Sequence, residues 1–468
     1  MEFTDLIDLA AERLGGAALA ANDEFFADKE NLLKPSKPIF KEHEYTDHGK
    51  WMDGWETRRR RTPGFDWCVI RLGVPGIIRG VIVDTAFFRG NYPSHCSIEG
   101  CAVEGHPSPG THWTEILPQV SLEGDQVNPF AIDSPYRYTH VRLNIFPDGG
   151  VARLRVHGEP VPDAYRLHGE VDLAAIENGA QALECSDMFF GNRHNLLMPG
   201  RAVNMSDGWE TKRRRGPGHD WMIIKLAAPG KLHRIEVDTS HFKGNAPGTC
   251  SLEASEGGGE WREILPHTPL HAHTLHHFDV SGQASRIRFN IFPDGGVSRL
   301  HVYGTVTEAG LREAGLRRFN ALLPGPAEAL LLECCGAAHF AKQLQRPVTD
   351  LHAAAAAVLA TFTAADWKQS FTSHPQIGDR TDNLLARQEQ AGAVGAAQQT
   401  LDELAQLNQA YAAKFGYIYI VCATGKTAGE MLALLKQRLD NDPATELRVA
   451  AAEQTKITHL RLDKLLES

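Results

Sequence analysis

Long apolar runs are missing from this chain of 468 residues. Nothing approaches the uncharged stretch of about 18 residues that a membrane span requires, so no membrane partner is expected. Basic residues are in deficit, 48 against 58 acidic ones for a net charge of −10, which argues against a chain built to hold nucleic acid. The eight cysteines form no paired CxxC frame, and free thiols in a reducing cytoplasm are expected rather than a disulfide scaffold. The segment MEFTDLIDLAAERLGG carries acids where a secretory leader carries basic residues, and the terminal Leu-Leu-Glu-Ser is no peroxisomal address. Small polar substrates and a cytoplasmic location are what these absences leave.

What is present is a duplication. Asp53–Trp67 reads DGWETRRRRTPGFDW, and Asp207–Trp221 reads DGWETKRRRGPGHDW. The match continues through Val83–Thr85 and Val237–Thr239, through Gly90-Asn91 and Gly244-Asn245, and on to NIFPDGGV at Asn144–Val151 and Asn290–Val297. Between Asn31 and Asp53 the first copy carries about ten extra residues, in a polar stretch where a surface loop tolerates them.

Within each copy, short runs rich in β-branched and aromatic residues (CVIRL, GVIVDTAFF, THVRLNIF) are punctuated by Gly, Pro, Asp and Asn, the rhythm of a β-sandwich. A short helix is expected ahead of each, at Thr4–Leu14 and Val171–Glu177. After about Gly310 the texture turns to Ala, Leu, Gln and Glu, with apolar residues every three or four, which predicts an all-helical domain. Thr427-Ala-Gly-Glu430 is a capping-box signal, and Pro443 opens a last helix with Leu447, Ala450, Gln454, Ile457 and Arg461 along one side. The expectation is a multi-domain chain: residues 1–160 and 161–310 as two all-β sandwiches, with 318–468 as the helical domain and the boundary within Leu311–Asn320.

Each DGWE segment sets an acid, Glu56 or Glu210, before a cluster of cations: Arg58, Arg59 and Arg60 in the first copy, Arg213 and Arg214 in the second. Arginine grips a carboxylate through two parallel hydrogen bonds, and carboxylates accept from the N–H groups of a ureido unit, so a substrate with both features suits the cluster. The alternative is a solvated face, or arginines paired with Asp66 and Asp220. Asn144, Asp148 and Arg153, with Asn290, Asp294 and Arg299, form a second set, although Pro-Asp-Gly-Gly is also what a tight turn demands. His271 and His273 read as weak metal candidates, since H-x-H on a strand puts two imidazoles on one face; the other reading is a polar loop.

These signatures, covering nearly all of residues 1–310, resemble the allantoicase family. The resemblance implies two jelly-roll-like sandwiches, a homo-oligomer, and hydrolysis of allantoate to (S)-ureidoglycolate and urea. Allantoate, with one carboxylate and two ureido groups, fits the chemistry read from the residues. Hydrolysis needs a base for water and an acid for the departing urea. Glu56, Asp66, Asp84 and Asp148, and their counterparts Glu210, Asp220, Asp238 and Asp294, stand unranked for those roles, and a divalent metal is left open.

In the helical third, FTSHPQIGDR places His374 beside Pro375, whose ring fixes the backbone, and a histidine can move protons near neutral pH. HPxIG, then QEQAG, KFGYIYIVCATGKT and ITHLRLDKLL together resemble 2-oxo-4-hydroxy-4-carboxy-5-ureidoimidazoline (OHCU) decarboxylase over about residues 318–468. The resemblance implies that His374 protonates the carbon left after CO2 departs and so sets the chirality of (S)-allantoin. It gives Pro375 the shaping of the pocket, Glu389 and the adjacent Gln390 the hydroxyl or ureido edge, Arg461 an anionic part, and the backbone of Tyr419, Ile420, Val421, Cys422 and Ala423 the ring. No cofactor is required, because the substrate's own imine and carbonyl groups hold the electrons. Ala386 stands where many members have Ser, which removes one substrate hydrogen bond, typically about 0.5–1.5 kcal/mol.

The sequence thus reads as a bifunctional enzyme of urate breakdown acting on small ureides. The competing readings are a tandem ligand-binding module, since fold alone does not fix function, or a decarboxylase domain kept only as a scaffold.

Overall fold

One strand of 19 residues spans each repeat, Asp66–Asp84 in the first and Asp220–Asp238 in the second. In the computed structural model, which describes residues 2–374 and 398–467, Cys68, Ile70, Leu72 and Val74 are buried at every second position. That period turns one face of a strand into a core. The first half of Asp66–Asp84 pairs antiparallel with Ala17–Ala21 and with most of Arg137–Phe146, and its second half with Val127–Ala131 and Arg153–Pro160. The strand therefore serves both layers of a jelly-roll-like sandwich. Gly76 sits at the changeover, where a Cβ would come within 2.4 Å of the Glu159 carbonyl oxygen.

The second repeat follows the same plan with one simplification. A single strand, Leu275–Phe292, runs where the first repeat has Val127–Ala131 and Arg137–Phe146. Pro135 lies in that interval of the first copy, and a proline has no N–H to give to a ladder.

The helices expected at Thr4–Leu14 and Val171–Glu177 are not formed. Each segment is instead a short edge strand, Ile7–Asp8 or Glu170–Asp172, followed by a 3-10 turn, Glu12–Leu14 or Ile176–Asn178. Pairing to Arg153–Pro160 and to Arg299–Val306 satisfies these strands. Asp8 and Asp172 then accept from the backbone N–H of Ala10 and Ala174, and glycines in left-handed conformation at Gly15 and Gly179 stop the turns. Too few residues lie between the aspartate and the glycine for a helix to propagate.

By its internal contacts the chain divides into two units, Met1–Ala321 and Leu322–Ser468. Helix Glu308–Ala321 belongs to the first, where Arg317 pairs with Glu159 and Arg318 with Asp163. The two repeats meet within that unit: Arg13 forms an ion pair with Asp207, and Arg193 and His194 both hydrogen-bond the Asp5 carbonyl. In the second unit, helices Gln398–Phe415, Ala428–Arg438 and Pro443–Glu467 bury Leu404, Tyr411, Met431, Leu435, Ala450 and Ile457. Thr427 and Glu430 close the capping box ahead of the second of these.

A buried ion pair joins the two signatures of each repeat. The Arg153 and Asp53 side chains are 2% and 5% exposed and meet at 2.8 Å. Arg153 also donates to the carbonyls of Ser36, Asp53 and Ala152. Arg299 and Asp207 repeat the arrangement at 3.1 Å, with Asn195, Gly200 and Ser298 as further acceptors. Arg153 and Arg299, first grouped with Asn144 and Asn290 as candidate site residues, are therefore framework. Burial pushes the Asp53 carboxyl up, but hydrogen bonds from Arg153, the Ile39 N–H and Lys34 outweigh it and leave the group below its ordinary value. A carboxylate depressed in this way adds stability that is complete above the ordinary carboxylate range and is lost as pH falls through its folded value. Asp53→Asn leaves Arg153 buried without its counter-charge and is expected to destabilise the first unit by about 3–5 kcal/mol, read as a lower urea midpoint at pH 7. The difference from the unmodified chain should shrink on acidification.

Candidate active site

Glu56 is held from both sides by backbone, pairing with Gly150 and with Ala27. Its carboxylate accepts from Asn91 Nδ2 at 2.7 Å. Burial raises the Glu56 carboxyl above its ordinary value, and the Asn91 bond opposes that only in part. Two residues on, the backbone N–H and Nε of Arg58 both reach Asp23, at 2.9 and 2.7 Å. Arg60 donates its backbone N–H to Asp148 at 2.8 Å and its guanidinium to Asp66 at 2.5 Å. Asn22 donates to the same Asp66 oxygen at 2.8 Å. Arg60 Nε and Asp66 Oδ2 are buried with no hydrogen-bond partner among the described residues, so this pair retains one donor and one acceptor for a ligand or water.

The second repeat reproduces the geometry. Glu210 accepts from Asn245 at 2.5 Å, Lys212 N–H from its backbone reaches Asp187 at 2.8 Å, and Arg214 N–H reaches Asp294 at 2.8 Å. The Arg214 guanidinium pairs with Asp220, which also accepts from Ser186. Arg60 and Arg214 thus take the pairing with Asp66 and Asp220 that the sequence offered as one alternative, whereas Arg59 and Arg213 are exposed.

Asn144 and Asn290 do not join this group. Asn144 donates to Ser97 and Glu99, and Asn290 to Ser251 and Glu253. Asp84 and Asp238 serve turns, accepting from Ala86 and Ser240 N–H. His271 and His273 lie in a turn before the strand Leu275–Phe292, not on a strand. His273 Nδ1 accepts the His241 N–H, and the His271 N–H goes to His276 Nε2. Among the described residues no group of three or more His, Cys, Asp or Glu is placed to hold a metal ion.

In the helical unit, Arg461 is 3% exposed on helix Pro443–Glu467. It donates to the Glu333 carbonyl at 3.0 Å and, through Nη2, to His374 Nδ1 at 3.4 Å. A guanidinium only donates, so Nδ1 accepts, and the neutral imidazole carries its proton on Nε2. Pro375, Ala386, Glu389 and Gln390 lie outside the described residues. Tyr419, Ile420, Val421, Cys422 and Ala423 are buried in a non-helical segment whose backbone is partly engaged. Ile420 O accepts from Arg438, Cys422 N–H donates to Glu453, Cys422 O accepts from Lys426 Nζ, and Ala423 O from the Lys426 N–H.

Asn91, Asn245, Asp23, Asp187 and Glu453 are not among the site residues expected from the sequence. The first four were visible as residues kept in both copies, Gly-Asn and Asp-x-Phe-Phe, without charge clusters to draw attention. Glu453 had no such signal.

A family model described as the allantoicase repeat matches residues 7–161 and 171–307, and one described as OHCU decarboxylase matches 320–463. A probable allantoicase of Photobacterium profundum is 48% identical over 326 residues, 66% of this chain and 99% of the relative. The solved allantoicase of Saccharomyces cerevisiae is 38% identical with a TM-score of 0.57, covering 64% of this chain and 92% of its own. A solved OHCU decarboxylase, determined in the presence of (S)-allantoin, is 40% identical over 29% of this chain and 96% of its own, with a TM-score of 0.27.

Asn91→Leu takes away the one bond that favours the charged form of Glu56. The Glu56 carboxyl should then titrate higher still than in the unmodified chain, which a carboxyl-labelled NMR titration reads.

Proposed function

The chain belongs to the allantoicase family and carries an OHCU decarboxylase domain behind its two repeats, domains of purine catabolism, and from that premise we propose that it is bifunctional. The first unit hydrolyses allantoate to (S)-ureidoglycolate and urea, and the second converts OHCU to (S)-allantoin. The observation that carries the first activity is the carboxylate and guanidinium set built twice from equivalent residues, with Glu56 raised by burial. Water adds its oxygen to the central carbon of allantoate as the bond from that carbon to one urea nitrogen breaks. One carboxylate takes the proton from water and returns it to the departing nitrogen. We assign this role to Glu56, because burial moves its carboxyl toward neutrality and such a group transfers protons in both directions more readily, and to Glu210 as its counterpart in the same asparagine clasp. Arg60 and Arg214, fixed by Asp66 and Asp220, then donate hydrogen bonds to the ureido oxygens of the substrate.

In the second unit the carbon–CO2 bond breaks and the electron pair moves into the adjacent C=N bond, whose nitrogen takes up a proton. His374 delivers a proton to the neighbouring ureido-bearing carbon, the stereocentre of (S)-allantoin, as the hydroxyl on the decarboxylated carbon loses its proton and becomes a carbonyl. Arg461 fixes the tautomer that carries the His374 proton on Nε2. Glu389 and Gln390 are assigned to the substrate's polar edge, and no cofactor is invoked for this half. A divalent metal for the hydrolase stays a proposal that chelation tests. Partners are small ureides and further copies of this chain, with no nucleic acid or membrane, in the cytoplasm.

The two steps are not consecutive, since allantoin must be ring-opened before the hydrolase can act. The fusion then keeps the two activities in equal dose and does not channel a product. A mixture lacking a ring-opening enzyme that still carried OHCU through to ureidoglycolate would contradict this division.

Replacing both Glu56 and Glu210 by Gln is expected to slow urea release by about 10²- to 10⁴-fold. In a chain carrying Glu210→Gln, where the first repeat alone turns over, the low-pH limb of the rate should lie above the ordinary value of a glutamate, because burial raises the Glu56 carboxyl. His374→Ala should slow formation of (S)-allantoin by a similar about 10²- to 10⁴-fold and let the slow chemical route yield both enantiomers. An unchanged rate would leave the helical domain as a scaffold.

A further inference from the structure

The extra residues of the first repeat are not an idle loop. They form a small hairpin, Tyr45–Thr46 against Gly49–Lys50, that folds over the segment leading to Asp23 and Arg58. His48 stacks on Phe25 with ring centroids 4.1 Å apart and planes at 22°. Gly49 comes close to the Phe26 ring, where an added Cβ would lie 3.6 Å from it. Between hairpin and segment lies a cleft of about 550 Å³, whose walls include Asn22, Asp23, Phe25, His48, Trp51 and Arg58. That volume lies within the range of small-molecule sites, although the cleft is more polar than most.

The second repeat supplies an internal comparison. It keeps the frame: Asp187 stands for Asp23, and Phe189 and Phe190 for Phe25 and Phe26. It has no hairpin, and Phe189 is 71% exposed where Phe25 is 41% exposed. At the position of Arg58 it has Lys212. The Arg58 guanidinium is fixed by Asp23 through Nε and Nη2 and lies over the Phe25 ring at 5.3 Å. Its side chain is still 64% exposed, and the rest of its five N–H donors remain for a second carboxylate. A lysine in that place is a point charge with no such planar fork. The hairpin and the arginine therefore appear together, in one repeat, around one cleft.

We propose that this cleft is a binding site for a small carboxylate borne on a flat amide or ureido skeleton, gripped by Arg58 and walled by the Phe25–His48 stack, and that the second repeat has no equivalent. Applied to allantoate, this rests on the hydrolase reading above and makes the two repeats unequal: the first sets affinity for the carboxylate of the substrate. Arg58, His48 and Trp51 determine specificity here, and the proton-transfer role stays with the glutamates.

The test compares the unmodified chain with Arg58→Lys, with a chain in which residues 36–50 are replaced by the shorter linker of the second repeat, and with Lys212→Ala as control. Two readouts are taken with allantoate, quenching of Trp51 fluorescence, identified by its loss in Trp51→Phe, and steady-state urea release. The expected result is saturable quenching that Arg58→Lys and the shortened chain weaken by about tenfold or more, a matching rise in KM with kcat within about twofold, and no change for Lys212→Ala. Urea release with KM and quenching unaltered by Arg58→Lys overturns the cleft and leaves the hydrolase reading intact. Quenching that depends on Arg58 in a chain releasing no urea supports the cleft and overturns the hydrolase reading. No quenching in the unmodified chain overturns the cleft outright. Retention of quenching in the shortened chain with its loss in Arg58→Lys overturns the hairpin's part in it.

Discussion

A guanidinium closed off from water cannot be left without its counter-charge, and the architecture of the first unit is arranged around that constraint. Arg153 and Asp53, like Arg299 and Asp207, come from the two most recognisable stretches of each repeat and meet in its interior. Each arginine also collects carbonyl oxygens from the loop that precedes the DGWE segment. Breaking such a pair costs far more than forming it returns, so it acts as a register pin more than as a source of stability. From the pinned aspartate the chain runs through a buried tryptophan, Trp55 or Trp209, whose indole N–H donates to the carbonyl of Asp23 or Asp187. It reaches the glutamate one residue later. The site carboxylates are placed by this short covalent path from a buried charge pair.

Duplication turns the first unit into its own control experiment. Where the copies agree, in the glutamate clasped by an asparagine and the arginine pinned to an aspartate, the agreement marks a shared requirement of the reaction or of the fold. Where they differ, the difference has a local physical consequence. Phe65 in the first copy corresponds to His219 in the second. His219 supplies a partner for Asn290 Oδ1, whereas Asn144 Oδ1 is buried with none among the described residues. The hairpin over Phe25 is a second such difference, and it changes the shape of a surface and not merely one contact.

Much of this was legible in the chain. The duplication, the β rhythm and the turn to helical texture past Gly310 all follow from period and composition, and the Thr427 capping box is local enough to be read directly. The segments Thr4–Leu14 and Val171–Glu177 were misread because their helical spacing competes with an open sheet edge far away in sequence, and the edge wins. Arg153 was misread for a related reason: sequence displays its charge but not its 2% exposure. Glu56 and Arg60 stood out by charge, whereas Asn91 and Glu453 did not. Neutral or isolated groups that orient a charged one become visible only when the fold brings them together.

The most direct measurement of bifunctionality is product formation by the purified, unmodified chain offered each substrate separately. Urea is expected from allantoate and optically pure (S)-allantoin from OHCU, with no ureidoglycolate from OHCU alone. A folded chain that released no urea, with or without added divalent metal, would contradict the hydrolase half and leave the duplicated unit as a binding module.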